Sequence, residues 1–176
     1  MREKTPMDAI ATLVAKEEVR ELAQLYARGV DRGDFALLRD LYTADATDSH
    51  GHFFDGPAEG YIASLEQSLP HTAASNHFIC NHLVSIDGDE GDGEVYAVSW
   101  AVIPDGRGGQ QHDVRGVRYI DRYRRENEVW RFAKRVVRFD FKLRLPAEDH
   151  GARPDPEKDA SYAKLLSRLF ARGARA

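Results

Sequence analysis

The stretch HFICNHLVSIDGDEGDGEVYAVSWAVIP, residues 77–104, decides the fold class. It is rich in β-branched and aromatic residues and breaks at Asp87-Gly88-Asp89, and the same alternation of extended run and turn continues to residue 141. Four strands are predicted, over 77–86, 94–103, 113–124 and 129–141. They are separated by Asp87-Gly88-Asp89, by the Gly-rich run Pro104 to Gly109, and by Arg125-Glu126-Asn127-Glu128. Short turns of this kind join antiparallel neighbours into a meander.

Upstream of this stretch the period changes. Residues 8–30 place Ile10, Leu13, Val14, Val19, Leu22, Leu25, Tyr26 and Val30 three to five apart with charges between them, the pattern of an amphipathic helix. Asp31-Arg32-Gly33-Asp34 interrupts it, and Asp34 is placed to cap a second short helix carrying Phe35, Leu37, Leu38 and Leu41. Extended pieces follow around Ala46 to Phe54. Gly56-Pro57 then introduces a third helix with Tyr61, Ile62, Leu65 and Leu69, closed by Pro70. Helices first and antiparallel strands after predict an α+β fold, in which the sheet curls against the helices and encloses a pocket.

Downstream, residues 146–160 are rich in Pro, Asp and Glu and read as a solvated connector. Tyr162, Leu165, Leu166, Leu169 and Phe170 then share one face of a last helix, whose apolar side needs cover from the domain's own pocket or from a neighbouring subunit. The expected organisation is one domain over 1–145 and an acidic connector with a C-terminal amphipathic helix over 146–176.

The whole chain has 176 residues, 42% apolar and 31% charged, with 25 basic against 29 acidic side chains. That is the size of one globular domain. Its mild net charge of −4, with both signs interspersed, argues against a nucleic-acid surface. No run of about 18 apolar residues is present to span a membrane, and the start MREKTPMDAI lacks the apolar core of a signal peptide, so a cytoplasmic location is expected. The single cysteine, Cys80, makes neither an intramolecular disulfide nor a cysteine-rich zinc site. Gly106-Arg107-Gly108-Gly109 lies between strands instead of opening a helix, and neither a GxxxxGK[ST] loop nor a GxSxG elbow occurs; phosphoryl transfer and serine hydrolysis are disfavoured.

Three constellations remain. Tyr26 and Asp31 stand near the end of the first helix and His77 opens a strand whose same-face residues are Ile79, Asn81 and Leu83. A carboxylate that orients an imidazole leaves the other ring nitrogen free to take a proton, although Asp31 equally suits a turn and His77 a half-buried strand position. Asp48, His50 and His52 alternate on one strand face and suit either a divalent metal or plain solvation. Arg135 sits among Ala133, Val137, Phe139 and Phe141, where a guanidinium needs an acid partner or an anionic ligand.

Four segments carry a resemblance. YARGVDRGDFALLRDLYTADA (26–46), HFICNHLVSIDGD (77–89), RYIDRY (118–123) and VWRFAKRVV (129–137) resemble, in order, the SnoaL-like group of the nuclear-transport-factor-2-like superfamily. Its lyase members include scytalone dehydratases, hexachlorocyclohexane dehydrochlorinases and bile-acid dehydratases. The resemblance implies a cone-shaped α+β fold with an apolar cavity and, on matched positions, an Asp31–His77 catalytic dyad with Tyr26 and Arg135 beside it. It also implies a cofactor-free lyase with no metal, and a homo-oligomer, dimer or trimer. His77 is then the general base, Asp31 its orienting acid, Tyr26 a donor to the departing oxygen, and Arg135 a holder of developing negative charge. Trp100, Phe53 and Phe139 are the expected contacts to a hydrophobic, aromatic or ring-containing small-molecule substrate. One departure stands out: around Ser99 and Trp100 an indole occupies a region where the dehydratases carry another polar residue. Isomerase or cyclase chemistry by the same dyad, and a non-catalytic ligand-binding module, are the competing readings.

Overall fold

The computed structural model describes residues 9–175. The polar start of the chain lies outside the described residues. Among those described, α1 (Ala9–Arg32) and α2 (Phe35–Asp40) form the expected hairpin. Gly33 turns the chain with φ +58°, and the buried Asp34 caps α2 by accepting from Leu37 N at 3.1 Å. Then follow β1 (Tyr42–Ser49), β2 (Asp55–Pro57) and α3 (Ala58–Ser68), after which a single 3₁₀ turn carries Pro70. The four long strands are β3 (Ala74–Asp87), β4 (Glu90–Pro104), β5 (Gln110–Glu126) and β6 (Val129–Ala147), each longer than its sequence signal.

All six strands form one sheet in the order β2-β1-β6-β5-β4-β3. Its neighbours are antiparallel except for β1, which runs parallel to β6. The meander is therefore as read, while the β1–β6 pairing, which places the first strand beside the last, has no local sequence signal.

Bulges bend this sheet around the helices. Ile79 pairs with Ala97 and His82 with Val95, so Cys80 and Asn81 together oppose Tyr96. The extra residue inverts the face of everything after it. His77 therefore shares the inner face with Ile79, then with His82, Val84 and Ile86, and not with Asn81 and Leu83, which are exposed. On β6 the register shifts again at Ala133, which brings Phe132 and Arg135 onto one face.

The core lies between this concave face and the helices. Val19, Leu22, Leu25, Tyr26 and Val30 of α1 pack with Leu38, Leu41, Ile62, Val95, Tyr119, Tyr123 and Phe132. The first turns of α1 depart from expectation, since Ile10, Leu13 and Val14 are exposed although they continue its apolar stripe.

The C-terminal segment carries the expected helix in a short form, α4 (Ala160–Lys164), between two 3₁₀ turns. It is nonetheless no free connector, because it straps the end of α1 and α2. Arg28 Nη2 donates to Ser161 Oγ and to the Phe170 carbonyl, each at 3.0 Å. Arg172 donates to the Gly33 carbonyl, Gly173 N to Asp34 Oδ2, and Arg175 to Asp40.

Candidate active site

Where α1 ends and β3 begins, the sequence brings an acid to an imidazole. Asp31 Oδ1 lies 2.7 Å from His77 Nδ1, and its Oδ2 accepts from the His77 backbone N–H at 2.8 Å. Both carboxylate oxygens thus hold one residue, and the imidazole is left with Nε2 as its free nitrogen. Arg153 of the C-terminal strap donates to the Asp31 carbonyl, and to Ser75 Oγ at 3.2 Å, closing the junction from outside.

His77 lines a cavity of about 470 Å³, a size suited to a small organic molecule. Its walls are mainly apolar and aromatic: Phe35, Leu65 and Leu69 on the helical side, Ile103, Val117 and Val137 on the sheet, Phe53 and Phe139 further out. The phenolic oxygens of Tyr26 and Tyr61, both wall residues, lie 3.2 Å apart. Burial, followed by the neighbouring Tyr61 and Tyr119, pushes the Tyr26 hydroxyl well above the ordinary tyrosine range, against the pull of Arg135. Tyr26 therefore keeps its proton.

Arg135 is placed differently from the expectation of direct contact with substrate. It is completely buried and binds Asp121 through two hydrogen bonds, Nε to Oδ1 at 2.8 Å and Nη2 to Oδ2 at 2.7 Å. Its guanidinium carbon also lies 4.1–4.3 Å from the ring centroids of Phe132, Tyr26 and Tyr119. Burial alone would favour deprotonation, but the Asp121 carboxylate overrides it and holds the pKa above the ordinary arginine value. The register of β5 with β6 sets Asp121 opposite Arg135, a pairing invisible in the linear sequence. Arg135 is not among the residues that line the cavity; it lies against Tyr26 and Tyr119, which do line it, and its buried Nη1 has no hydrogen-bond partner among the described residues.

Trp100 lines the cavity beside Ser99, which pairs with His77 across the sheet. Its indole N–H donates to His112 Nδ1 at 3.1 Å, and its ring packs against His150. Phe53 and Phe139 line the same cavity. Their rings lie 5.2 and 5.6 Å from the Arg115 guanidinium, which is held by Asp113.

The Asp48, His50, His52 triplet does not converge. Asp48 Oδ1 contacts His50 Nδ1 at 2.5 Å, while His52 is exposed against Phe53 beyond the end of β1. Among the described residues no three His, Cys, Asp or Glu side chains gather as a metal site. Sequence reasoning also missed Tyr61, Arg115 and Arg153. The first was legible only as a helix-face aromatic, the second as one of many arginines, and the third lay in a segment read as solvated.

Comparison with known proteins agrees with this architecture. The profile of the SnoaL-like domain matches residues 11–136. The structure of LinA superposes with a TM-score of 0.71 at 20% identity, covering 84% of this chain and 100% of LinA. A scytalone dehydratase candidate from Novosphingobium aromaticivorans gives 0.66 at 16% identity, covering 81% and 93%. The Kfla4162 protein from Kribbella flavida gives 0.67 at 22% identity, covering 74% and 94%. No curated protein sequence matches the chain. Among the described residues no helix is long and apolar enough to cross a membrane.

Proposed function

The chain belongs to the SnoaL-like domain family, and from that premise and the geometry of its cavity we propose that it is a cofactor-independent lyase, eliminating water or another small leaving group from a hydrophobic, ring-containing molecule. The observation that carries the reading is the Asp31–His77 pair, doubly bonded on one side and open to a mainly apolar cavity on the other. That similar structures include a hexachlorocyclohexane dehydrochlorinase supports an elimination.

In this reaction His77 Nε2 removes a proton from carbon, and the C–H electron pair forms the new double bond as the leaving group departs with its own pair. Asp31 keeps Nε2 turned to the cavity and stabilises the imidazolium that forms. Tyr26, backed by Tyr61, donates a hydrogen bond to a substrate oxygen. Phe53, Phe139, Phe35 and Leu65 supply flat apolar surface for a ring. The reading includes a homo-oligomer, because the outer face of the sheet exposes Phe78, Leu83, Ile120 and Phe141.

The test is turnover of β-hydroxy carbonyl compounds bearing an aromatic ring, followed by the absorbance of the conjugated product. Asp31→Asn is expected to lower the rate on the order of 10²- to 10⁴-fold, the usual contribution of a placed acid–base pair. An unchanged rate in folded Asp31→Asn contradicts the proposal. Solvent deuterium appearing at carbon without net elimination assigns the dyad to an isomerase instead.

A further inference from the structure

A second imidazole faces the same cavity. His50 lines it on the wall formed by the end of β1 and by α3, and its ring stacks on Tyr61 with centroids 4.0 Å apart and planes 16° from parallel. Behind it stands Asp48, a carboxylate with no exposed surface. Asp48 Oδ1 contacts His50 Nδ1 at 2.5 Å and Oδ2 accepts from the Tyr42 hydroxyl at 2.8 Å.

The arrangement repeats the logic of Asp31 and His77. In each pair a carboxylate engages Nδ1, so Nε2 is the nitrogen turned away from it, and no described side chain bonds Nε2 of either ring. A fully buried carboxylate with both oxygens engaged is costly to maintain for a histidine that merely sits at a surface. The two imidazoles are linked across the cavity through the phenols: Tyr26 packs edge-on to His77 at 6.5 Å and shares a hydrogen bond with Tyr61, on which His50 stacks.

We infer that His50 is a second catalytic residue, the general acid that protonates the departing oxygen, with Asp48 and Tyr42 as its positioning residues. The inference rests on the lyase reading above and deepens it, assigning the substrate class as alcohols, whose hydroxide is a poor leaving group. His77 Nε2 takes the proton from carbon, the freed pair forms the C=C bond, and the C–O bond breaks with its pair on oxygen. The His50 Nε2–H supplies the proton that makes that oxygen water. One imidazole gains a proton and the other loses one, and exchange with solvent restores both.

The experiment compares two probes that give the same product, benzalacetone: the aldol of benzaldehyde with acetone, and its β-chloro counterpart. Chloride leaves without a proton. His50→Gln, and Asp48→Asn in case the first variant folds poorly, should shift the alcohol-to-chloride rate ratio on the order of 10²-fold or more against the alcohol. His77→Gln should depress both probes together. A ratio unchanged in His50→Gln while His77→Gln abolishes turnover overturns the His50 assignment alone, whereas unchanged turnover in His77→Gln overturns the lyase reading itself. A measurement independent of turnover is alkylation by phenacyl bromide, mapped by peptide mass spectrometry. Modification of His50 that benzalacetone prevents is the expected result, and an unmodified His50 beside a modified His77 contradicts it.

Discussion

His82 shows how one residue can carry a pH dependence for the whole fold. It turned inward because of the bulge at Cys80 and Asn81, and its Nε2 lies 3.1 Å from the Tyr123 hydroxyl. Burial, reinforced by Arg20 and Arg135 and opposed by Asp121, lowers its pKa from 6.5 to about 4. The unfolded chain therefore binds a proton there at a higher pH than the folded one. Stability has no contribution from His82 above pH 6.5 and falls as pH drops from 6.5 towards 4; in His82→Gln, urea midpoints across that window should decline less steeply. An unaltered slope would show that His82 is not the titrating group. Arg135 makes the opposite kind of demand. Arg135→Met leaves Asp121 buried and unpaired, and about 3–5 kcal/mol should be lost in chemical denaturation, with much of it restored by adding Asp121→Leu. The need of Arg135 for an anion was readable from its apolar strand; the identity of that anion was not, because it follows from strand register.

At the scale of elements, the hairpins carried their own signals and the bulges did not. The β5–β6 turn has Asn127 at φ 50° and Glu128 at φ 66°, both in the left-handed region that favours glycine at the second position. Glu128→Gly should therefore stabilise the protein by about 1 kcal/mol, read as a raised denaturation midpoint, despite losing an exposed contact to Arg125. A lowered midpoint would mean that the ion pair outweighs the backbone strain. The bulges, by contrast, arise from the need to wrap the sheet around α1, and no residue type near Cys80 or Ala133 announces them. They explain why the period-two reading of β3 fails after Ile79, while His77, two residues earlier, keeps the face it was given and lies beside Asp31. The reading of 146–160 as a solvated connector missed Arg153 for a related reason: its contacts to the Asp31 carbonyl and Ser75 depend on residues far away in the chain.

For the whole molecule, the α+β cone was legible because helix and strand periods occupy separate halves of the chain. The cavity was legible only as a consequence of curvature. Its depth and chemistry depend on contacts between residues far apart in sequence: Asp31 with His77, Tyr26 with Tyr61, and the strap through Arg153. The cavity joins two acid–imidazole pairs to a ring-lined pocket, and the account stands or falls on the first of them. The most direct measurement is single-turnover formation of benzalacetone from its aldol by His77→Gln beside the unaltered protein, with benzalacetone binding measured in both. The account predicts a rate lower by roughly 10²- to 10⁴-fold with product affinity retained. A rate equal to that of the unaltered protein, with the fold intact, would contradict it.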